Sequence, residues 1–472
     1  MTQTSRPSLL KDPPATAPGF VRERWSSRWM FVLAAGAAVI GFNNFWQFPY
    51  LAAQYGGGAF LIVYFFCVLL IGLPLLMAET MLGRGGHASP VGAFRHMARA
   101  HGRDSRWALA GGCAVLGGFL ILSYLCVIAG WTIAYALRSG LGVFVGLTAD
   151  GIGSQFAQLV NDPEKQLFWH ALFLVSVLAV VGRGMHAGLE AAIRYVAPLL
   201  VFLFVVLAVY AATTDGFARA LERLLMPDFE KLGGAGVLAA LGHAFFSLGL
   251  GSGFVLMYGA YARDEVSVPR LSLWVAAVDT VTALAAGVIV YSVLFSGGVE
   301  LASGPALVFQ ALPLAFDHIP MGRIPATALY MLLVLVAWTS AVALAEPVVV
   351  WLGERFNLNR VRAVLVCGVS AWVLGLLTIF SFNHWAFSFK FLGLARKLGM
   401  FDVLQILTAQ ILLPLAGILT ALFAGWALKP EVTRAALGLR SPCAFDAWLW
   451  LVRVAIPAAL LLVVFTLSRL LA

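Results

Sequence analysis

The stretch 36–60, GAAVIGFNNFWQFPYLAAQYGGGAF, is apolar and long enough to cross a membrane, but Gly41, Asn43 and Asn44 interrupt it midway. This helix is therefore predicted to break inside the bilayer. A break leaves backbone carbonyl and amide groups without intrahelical partners, and hydrocarbon cannot satisfy them. These groups must line a protein cavity or coordinate a ligand, so the break is a candidate binding site.

A second interruption lies in 234–262, where FFSLGLGSGF places Gly249, Gly251 and Gly253 at alternate positions. Three glycines this close together weaken a helix interior. Close helix packing through small residues is the alternative explanation for one such segment. Two interrupted segments that stand first and sixth in order favour instead two five-helix halves with a binding site between them at the membrane midplane.

The elements that must position these breaks are membrane-spanning helices. Of 472 residues, 61% are hydrophobic and 11% charged, and the mean hydropathy is +0.91, which excludes a soluble protein. A span needs about 20 apolar residues. The predicted spans are 27–50, 56–83, 107–137, 167–183, 188–212, 234–262, 268–296, 323–352, 361–382, 401–428 and 446–470.

This order predicts an all-α polytopic membrane protein. Its predicted parts are a cytoplasmic tail at 1–26, a first five-helix repeat at 27–212, a second at 234–428 and a last span at 446–472. With the N-terminus inside, cytoplasmic segments hold about 19 of the 31 basic residues, which fits a multi-pass protein of the cell inner (plasma) membrane. The cluster of Lys390, Arg396 and Lys397 runs against this orientation.

The net charge of +9 is therefore attributed to the basic residues that set the orientation of the chain in the membrane. Nucleic acid is not an expected partner. Five cysteines form no external pair and no CxxC spacing, so disulfides and structural zinc are not expected. No HExxH, GxSxG or Walker sequence is present, so an enzyme is not expected either.

Several motifs resemble those of one family, the neurotransmitter:sodium symporters. FWQFPYLAAQYGGGAF (45–60) is close to the family's WRFPY followed by NGGGAF, and GLPLLMAETMLGR (72–84), FFSLGLG and TSAVALAEP (339–347) follow at the family's spacing. The match covers nearly the whole chain and fits prokaryotic, LeuT-type members. The resemblance implies the LeuT-type fold, a 5+5 inverted repeat with broken helices 1 and 6 and eleven transmembrane helices.

The resemblance also implies two sodium sites. Sodium takes about five or six oxygen ligands, which freed carbonyls and nearby hydroxyls can supply. Sodium site 1 is implied to comprise Val39, Asn44, Ser247 and Asp279. Sodium site 2 is implied to comprise Ala37, Ile40, Val336, Thr339 and Ser340. For the two hydroxyls, a bond back to a carbonyl of their own helix is the alternative.

Asp279 departs from the family, which generally has asparagine there. An ionised carboxylate midway along a span costs at least about 2.5 kcal/mol unless a cation or a proton compensates it. Chloride-dependent members hold the anion partly through a serine one turn later, where this chain has Ala283. We therefore expect that chloride is not required, with Asp279 supplying the negative charge. A structural pairing of Asp279 with His243 is the alternative.

The substrate pocket implied by the resemblance departs further. Its residues are Val39, Gly41, Phe42, Asn43, Ile121, Leu125, Phe246, Ser247, Gly249, Ser252, Ser340, Ala343 and Leu344. Leu125 replaces a family tyrosine that binds the substrate carboxylate, and Tyr124 beside it is expected to face elsewhere. Asn43 replaces a glycine, so either Asn43 takes over the carboxylate or the substrate is not a standard α-amino acid. Gly249 and Ser252 leave room for a bulky apolar or aromatic group.

The gates differ at the two faces. Arg22 and Glu354 match the family's inner ion pair, whereas Gln47 and Gln405 replace the charged outer pair. Phe246 matches the aromatic lid, and Glu79 matches a glutamate that braces the breaks.

The function implied is sodium-coupled symport of a small zwitterionic solute, an apolar or aromatic amino acid, by alternating access. A divergent orphan or non-transporting sensor with the same fold is the alternative. Two sodium ions, the solute and membrane lipid are the expected partners, and the oligomeric state stays open.

Overall fold

The structure is a computed structural model that describes residues 23–383, 385, 387–391 and 394–470. Most of it is helical. The helices are α1 Arg28–Val39, α2 Phe42–Gln54, α3 Gly58–Gly86, α4 Pro90–Ala100, α5 Ser105–Gly140, α6 Ala149–Val160, α7 Pro163–Val181, α8 Met185–Ala212, α9 Phe217–Leu225, α10 Phe229–Ser247, α11 Phe254–Ala260, α12 Val268–Gly297, α13 Leu307–Asp317, α14 Arg323–Phe356, α15 Arg360–Ser381, α16 Met400–Ala427, α17 Pro430–Leu437 and α18 Pro442–Phe465.

The helices follow the predicted spans closely. Among the described residues, nine unbroken helices are long and apolar enough to cross a membrane, and the bent pair α1–α2 makes a tenth. The predicted sixth span is α10 followed by α11. Local sequence sets several helix starts: the side chains of Ser27, Asp162 and Asn359 each accept a hydrogen bond from a first-turn N–H, at α1, α7 and α15.

Both predicted breaks are present. The helices α1 and α2 meet at an angle of 62°, and we call them the first broken helix. The helices α10 and α11 are separated by residues 248–253, and we call them the second broken helix. Within that gap Gly249, Gly251 and Gly253 have φ values of 62°, 75° and 84°, a left-handed conformation that residues with a Cβ rarely adopt. The alternating glycines therefore cause this break.

The core lies around the two broken helices, where α14 and α5 form the most extensive helix pair. Small residues permit this closeness. A Cβ on Gly118 of α5 would lie 2.4 Å from the carbonyl oxygen of Ser252, so only glycine lets α5 approach the second break. The lipid-facing sides of α8 and α15 are exposed and apolar, as the sequence pattern predicts for spans.

One short antiparallel hairpin stands outside the helices. It pairs β1 Phe387–Phe391 with β2 Leu394–Leu398 between α15 and α16. The basic cluster that runs against the predicted orientation falls on these two strands. The sequence analysis did not predict this hairpin.

Candidate functional site

The first break turns its carbonyls towards α14. Ile40 leaves the helix with extended backbone angles, φ −65° and ψ 106°. The Thr339 hydroxyl donates to the carbonyl of Ala37 at 2.8 Å. The Ser340 hydroxyl lies 2.9 Å from the carbonyl of Ala38 and 3.3 Å from that of Ile40. Several oxygen atoms of the two spans therefore lie together at the first break.

Both hydroxyls also approach their own helix, where Val336 supplies the acceptor carbonyl at 3.0 Å and 3.1 Å. The hydrogen bonds to a carbonyl of the same helix, which were the alternative for these hydroxyls, are therefore formed as well, in the same cluster. The residues brought together are those of predicted sodium site 2: Ala37, Ile40, Val336, Thr339 and Ser340. Neutral, hard oxygen donors in a buried pocket fit an alkali cation, which needs no proton exchange to bind.

A second oxygen cluster surrounds Asp279 on α12, which is fully buried. The Ser247 hydroxyl lies 2.6 Å and 2.7 Å from its two carboxylate oxygens. The Asn44 amide and the Tyr64 hydroxyl each donate to it at 3.3 Å. Asn44, Ser247 and Asp279 of predicted sodium site 1 thus meet, with Val39 lining the adjoining cavity.

No basic side chain among the described residues forms an ion pair with Asp279. The alternative pairing with His243 is not formed, because neither ring nitrogen of His243 has a hydrogen-bond partner in the described chain. His243 packs instead between the rings of Phe48 and Tyr64, with centroids 5.5 Å and 5.6 Å away. A buried carboxylate with three hydrogen-bond donors and no counter-charge fits a bound cation.

Glu79 on α3 holds the second break. The backbone N–H of Gly251 donates to its carboxylate at 2.8 Å, and Glu79 is fully buried. A Cβ on Gly251 would lie 2.3 Å from the carbonyl oxygen of Leu413, so no side chain fits at this point. The carboxylate thus satisfies an amide that the break has freed from its helix.

A cavity of about 460 Å³ lies between the two broken helices, α5, α14 and α16. Its lining includes twelve of the predicted substrate residues: Val39, Gly41, Phe42, Asn43, Ile121, Leu125, Phe246, Ser247, Gly249, Ser252, Ser340 and Leu344. The predicted Ala343 is not among the described lining residues. Ser340 and Leu344 are one turn apart and share the face of α14 that borders the cavity, whereas Ala343 is fully buried outside its lining.

The expectation that Tyr124 faces elsewhere is wrong. It lines the cavity, and its hydroxyl lies 3.4 Å from that of Thr408 on α16. The reason is helical geometry: Ile121, Tyr124, Leu125 and Ile128 follow the spacing i, i+3, i+4, i+7, and all four line the cavity. That spacing is visible in the sequence, and it predicts that Tyr124 shares a helix face with the other three residues.

Towards one end, the cavity is bordered by Gln47 and Gln405, the predicted outer pair. Asp402 and Gln410 lie beside them, and the sequence analysis missed both. Asp402 is the one charged side chain in the described lining, and it accepts a hydrogen bond from the N–H of Gly399 at 2.8 Å. This end is polar but holds no ion pair among its described residues.

At the opposite end, the predicted inner pair is only half described, because Arg22 lies outside the described residues. Glu354 accepts hydrogen bonds from the backbone N–H of Ser89 at 2.7 Å and from its hydroxyl at 2.5 Å. The Trp25 indole donates to the carbonyl of Tyr258 at 3.0 Å, which fastens the segment before α1 to α11.

A buried ion pair at this inner end was not predicted. Arg360 lies 2.5 Å from Glu346, and the Tyr261 hydroxyl donates to the same carboxylate at 2.6 Å. Glu346 is fully buried within α14. The glutamate in TSAVALAEP was the available signal, since a carboxylate inside a span requires a partner.

Comparison with known proteins decides the family. The model of the Sodium:neurotransmitter symporter family matches residues 22–143 and 158–411. The chain belongs to this family. An uncharacterized sodium-dependent transporter of Bacillus subtilis, YhdH, is 29% identical over 93% of this chain and 96% of its own length. One from Methanocaldococcus jannaschii is 30% identical over 94% of this chain and 90% of its own.

Among solved structures, the crystal structure of MhsT in complex with L-phenylalanine superposes with a TM-score of 0.85. It is 35% identical to this chain and covers 95% of it, and the chain covers 100% of MhsT. The predicted LeuT-type fold is thereby confirmed. Family membership makes this protein a multi-pass, sodium-coupled membrane transporter of a small solute and not an enzyme.

Proposed function

We propose that the protein carries a small zwitterionic solute, an apolar or aromatic amino acid, into the cell with sodium by alternating access. The observation that carries this proposal is the position of the cavity. It is bordered by both broken helices, with the oxygen cluster of Thr339 and Ser340 on one side and that of Asp279 on the other. Ion and solute can therefore order the same two helices.

The cavity wall supports an apolar substrate group. Ile121, Leu125 and Leu344 are apolar, Phe246 borders the wall as an aromatic lid, and Gly249 adds no bulk. The complex of MhsT with L-phenylalanine supports an aromatic substrate by similarity. No basic side chain is present in the described lining, so the partners of the substrate carboxylate would be uncharged donors, among them the freed amides of the first break, and sodium.

We propose that Tyr124 takes the role of the family tyrosine that Leu125 replaces in this chain. Its hydroxyl borders the cavity and has one weak partner, Thr408, at 3.4 Å. A substrate carboxylate would accept a stronger, charge-assisted hydrogen bond from the same hydroxyl. The Trp46 indole donates to the amide oxygen of Asn43 at 3.2 Å, which leaves the amide N–H groups of Asn43 as further donors for the carboxylate.

We propose two sodium ions, one in each oxygen cluster. Site 1 would use Val39, Asn44, Ser247 and Asp279, and the carboxylate would supply the negative charge that chloride supplies in other members. Site 2 would use Ala37, Ile40, Val336, Thr339 and Ser340. Chloride would then not be required.

The same proposal assigns the two ends of the cavity. Phe246, with Gln47 and Gln405, would close the outer side, and Glu354, with Arg22, would close the cytoplasmic side. The N-terminus would be cytoplasmic in the inner membrane. The two repeats would be 27–212 and 234–428, preceded by the tail 1–26 and followed by the span 446–472.

The test uses the purified full chain, a panel of amino acids and amines, and thermal unfolding in sodium or potassium chloride. We expect apolar or aromatic amino acids to raise the unfolding temperature in sodium but not in potassium. A shift that is equal in both salts would refute sodium coupling. Uptake into proteoliposomes then separates a transporter from a sensor, since a sensor would bind the same amino acid without accumulating it.

A further inference from the structure

Two arginines donate to backbone carbonyls at the C-terminal end of α16. The Nε of Arg453, on α18, donates to the carbonyl of Gly425 at 2.7 Å. The Nε of Arg103, from the loop before α5, donates to the carbonyl of Ala427 at 2.6 Å. These acceptors are two residues apart at the C-terminal end of α16, where the helix carbonyls lack partners and favour cations.

Capping uses one donor from each guanidinium. Each guanidinium has five N–H donors in a fixed fork, so its outer edge stays available. Neither arginine forms an ion pair with a carboxylate in the described part of the chain. Lys429, exposed two residues beyond Ala427, adds a third positive charge. The exposed acids Glu431 and Asp446 lie on neighbouring helices, and neither forms an ion pair with Arg103 or Arg453 among the described residues.

One exposed indole, that of Trp426, lies against Arg453. The guanidinium of Arg453 lies 5.1 Å from the ring centre of Trp426, whose indole N–H donates to the Arg453 carbonyl at 3.2 Å. Trp426 is 59% exposed and lies one residue before the end of α16, and tryptophan side chains favour the level of the lipid headgroups.

We propose that Arg103, Arg453 and Trp426 form a binding site for the phosphate of an anionic phospholipid, and we call it the α16-end cluster. Arginine forks bind phosphate oxygens in pairs, and the cation–indole stack fixes the direction of the fork. The phosphate completes the hydrogen bonding that the capping geometry leaves open, and the acyl chains continue along the exposed apolar surface of α18. This proposal is independent of the transported solute.

Capping alone is the competing explanation, and the two make different predictions. A purely capping arginine stabilises the protein by the same amount in any lipid. A lipid-binding arginine adds a stabilisation that appears only when anionic lipid is present. The decisive quantity is the difference in unfolding temperature between the two lipid compositions, not the unfolding temperature itself.

The experiment compares the full-length protein with R103Q, R453Q and a matched control, R106Q, in vesicles of phosphatidylcholine with or without phosphatidylglycerol. Arg106 is three residues from Arg103, exposed, and paired with Asp104 at 3.7 Å. We expect phosphatidylglycerol to raise the unfolding temperature of wild type and R106Q. That rise should fall by more than half in R103Q and R453Q, and inorganic phosphate should not reproduce it.

If R103Q and R453Q lower the unfolding temperature by the same amount with and without phosphatidylglycerol, the proposal is overturned in favour of capping. If phosphatidylglycerol no longer raises the unfolding temperature of R106Q, the proposal is overturned in favour of a general attraction of the basic face to the bilayer. If inorganic phosphate raises the unfolding temperature by the same amount, the lipid proposal is overturned in favour of a site that binds any phosphate anion.

Discussion

The two ends of the central cavity are built on different chemistry. At the outer end, Gln47 and Gln405 are neutral and Asp402 is the one charge in the described lining. At the inner end, the pair of Glu346 and Arg360 is buried together with a tyrosine hydroxyl. A buried ion pair resists separation, because opening it strands two charges, whereas neutral amides separate at lower cost. The outer side should therefore open more readily than the inner side.

The segment before α1 strengthens the inner end further. Glu190 on α8 accepts hydrogen bonds from the N–H and the hydroxyl of Ser26, and His186 approaches the same carboxylate at 2.6 Å. Glu23 accepts from the N–H of Met185 at 2.8 Å. We therefore expect inward opening to break some of these charge-assisted bonds, a cost that the binding of sodium and solute would offset.

The largest expected effect comes from Glu346→Gln. Removing one member of a buried ion pair costs about 3–5 kcal/mol, and we expect the lower value because Arg360 keeps its bond to the carbonyl of Val181. Chemical unfolding in detergent measures this loss. The outer-end control Gln405→Ala should change the free energy of unfolding by no more than ~0.5 kcal/mol. Similar losses for both variants would contradict the difference between the ends.

Asp279→Asn tests the oxygen cluster that lies between the two ends of the cavity. Because the carboxylate provides charge as well as oxygen, its loss should weaken sodium binding by roughly 1.5–3 kcal/mol, or about ten- to a hundred-fold. A sodium titration of thermal stability, with and without chloride, measures both the affinity and any new need for the anion. Asp402→Asn, at the outer end, is the control and should leave sodium affinity unchanged. Unaltered sodium affinity in the Asp279 variant would exclude this residue as a ligand.

Tyr124→Phe removes a hydroxyl from the cavity without changing its shape. If that hydroxyl binds the substrate carboxylate, amino-acid affinity should fall by about 1.5–3 kcal/mol, the range for a hydrogen bond to a charged group. Tyr330→Phe is the matched control, since that hydroxyl donates to the carbonyl of Val308 and does not line the cavity. Calorimetric titration distinguishes them, and equal affinities in both variants would assign the carboxylate to another group.

The smallest effect is expected from restoring the outer ion pair. Gln47→Arg and Gln405→Asp should each weaken closure when made alone, because each adds an unpaired charge. The double variant should recover a coupling of about 0.2–1 kcal/mol, the usual range for a solvent-accessible pair. Solute dissociation rates of the four proteins give the coupling. A coupling of zero would mean that the two positions do not meet when the outer side closes.

The sequence was sufficient for features that depend on residue type along one helix. Alternating glycines predicted the second break, and the family motifs predicted the oxygen clusters of Thr339 and Asp279. Tyr124 was misjudged although its spacing from Ile121, Leu125 and Ile128 places it on the cavity face of α5. The position of Ala343 depends on the rotation of α14 about its axis, which tertiary packing sets. The partner of Glu346 was missed for a related reason: Arg360 begins the next helix, and only the turn between α14 and α15 brings the charges together.

The three left-handed glycines also limit how this pocket can be redesigned or can diverge. A side chain at Gly249 would combine an unfavourable φ of 62° with a Cβ only 2.3 Å from the ring of Phe254. Ser252, in the same gap, has no positive φ and already carries a side chain. Changes of substrate size should therefore accumulate at Ser252 and at the wall residues of α5, while Gly249 stays fixed.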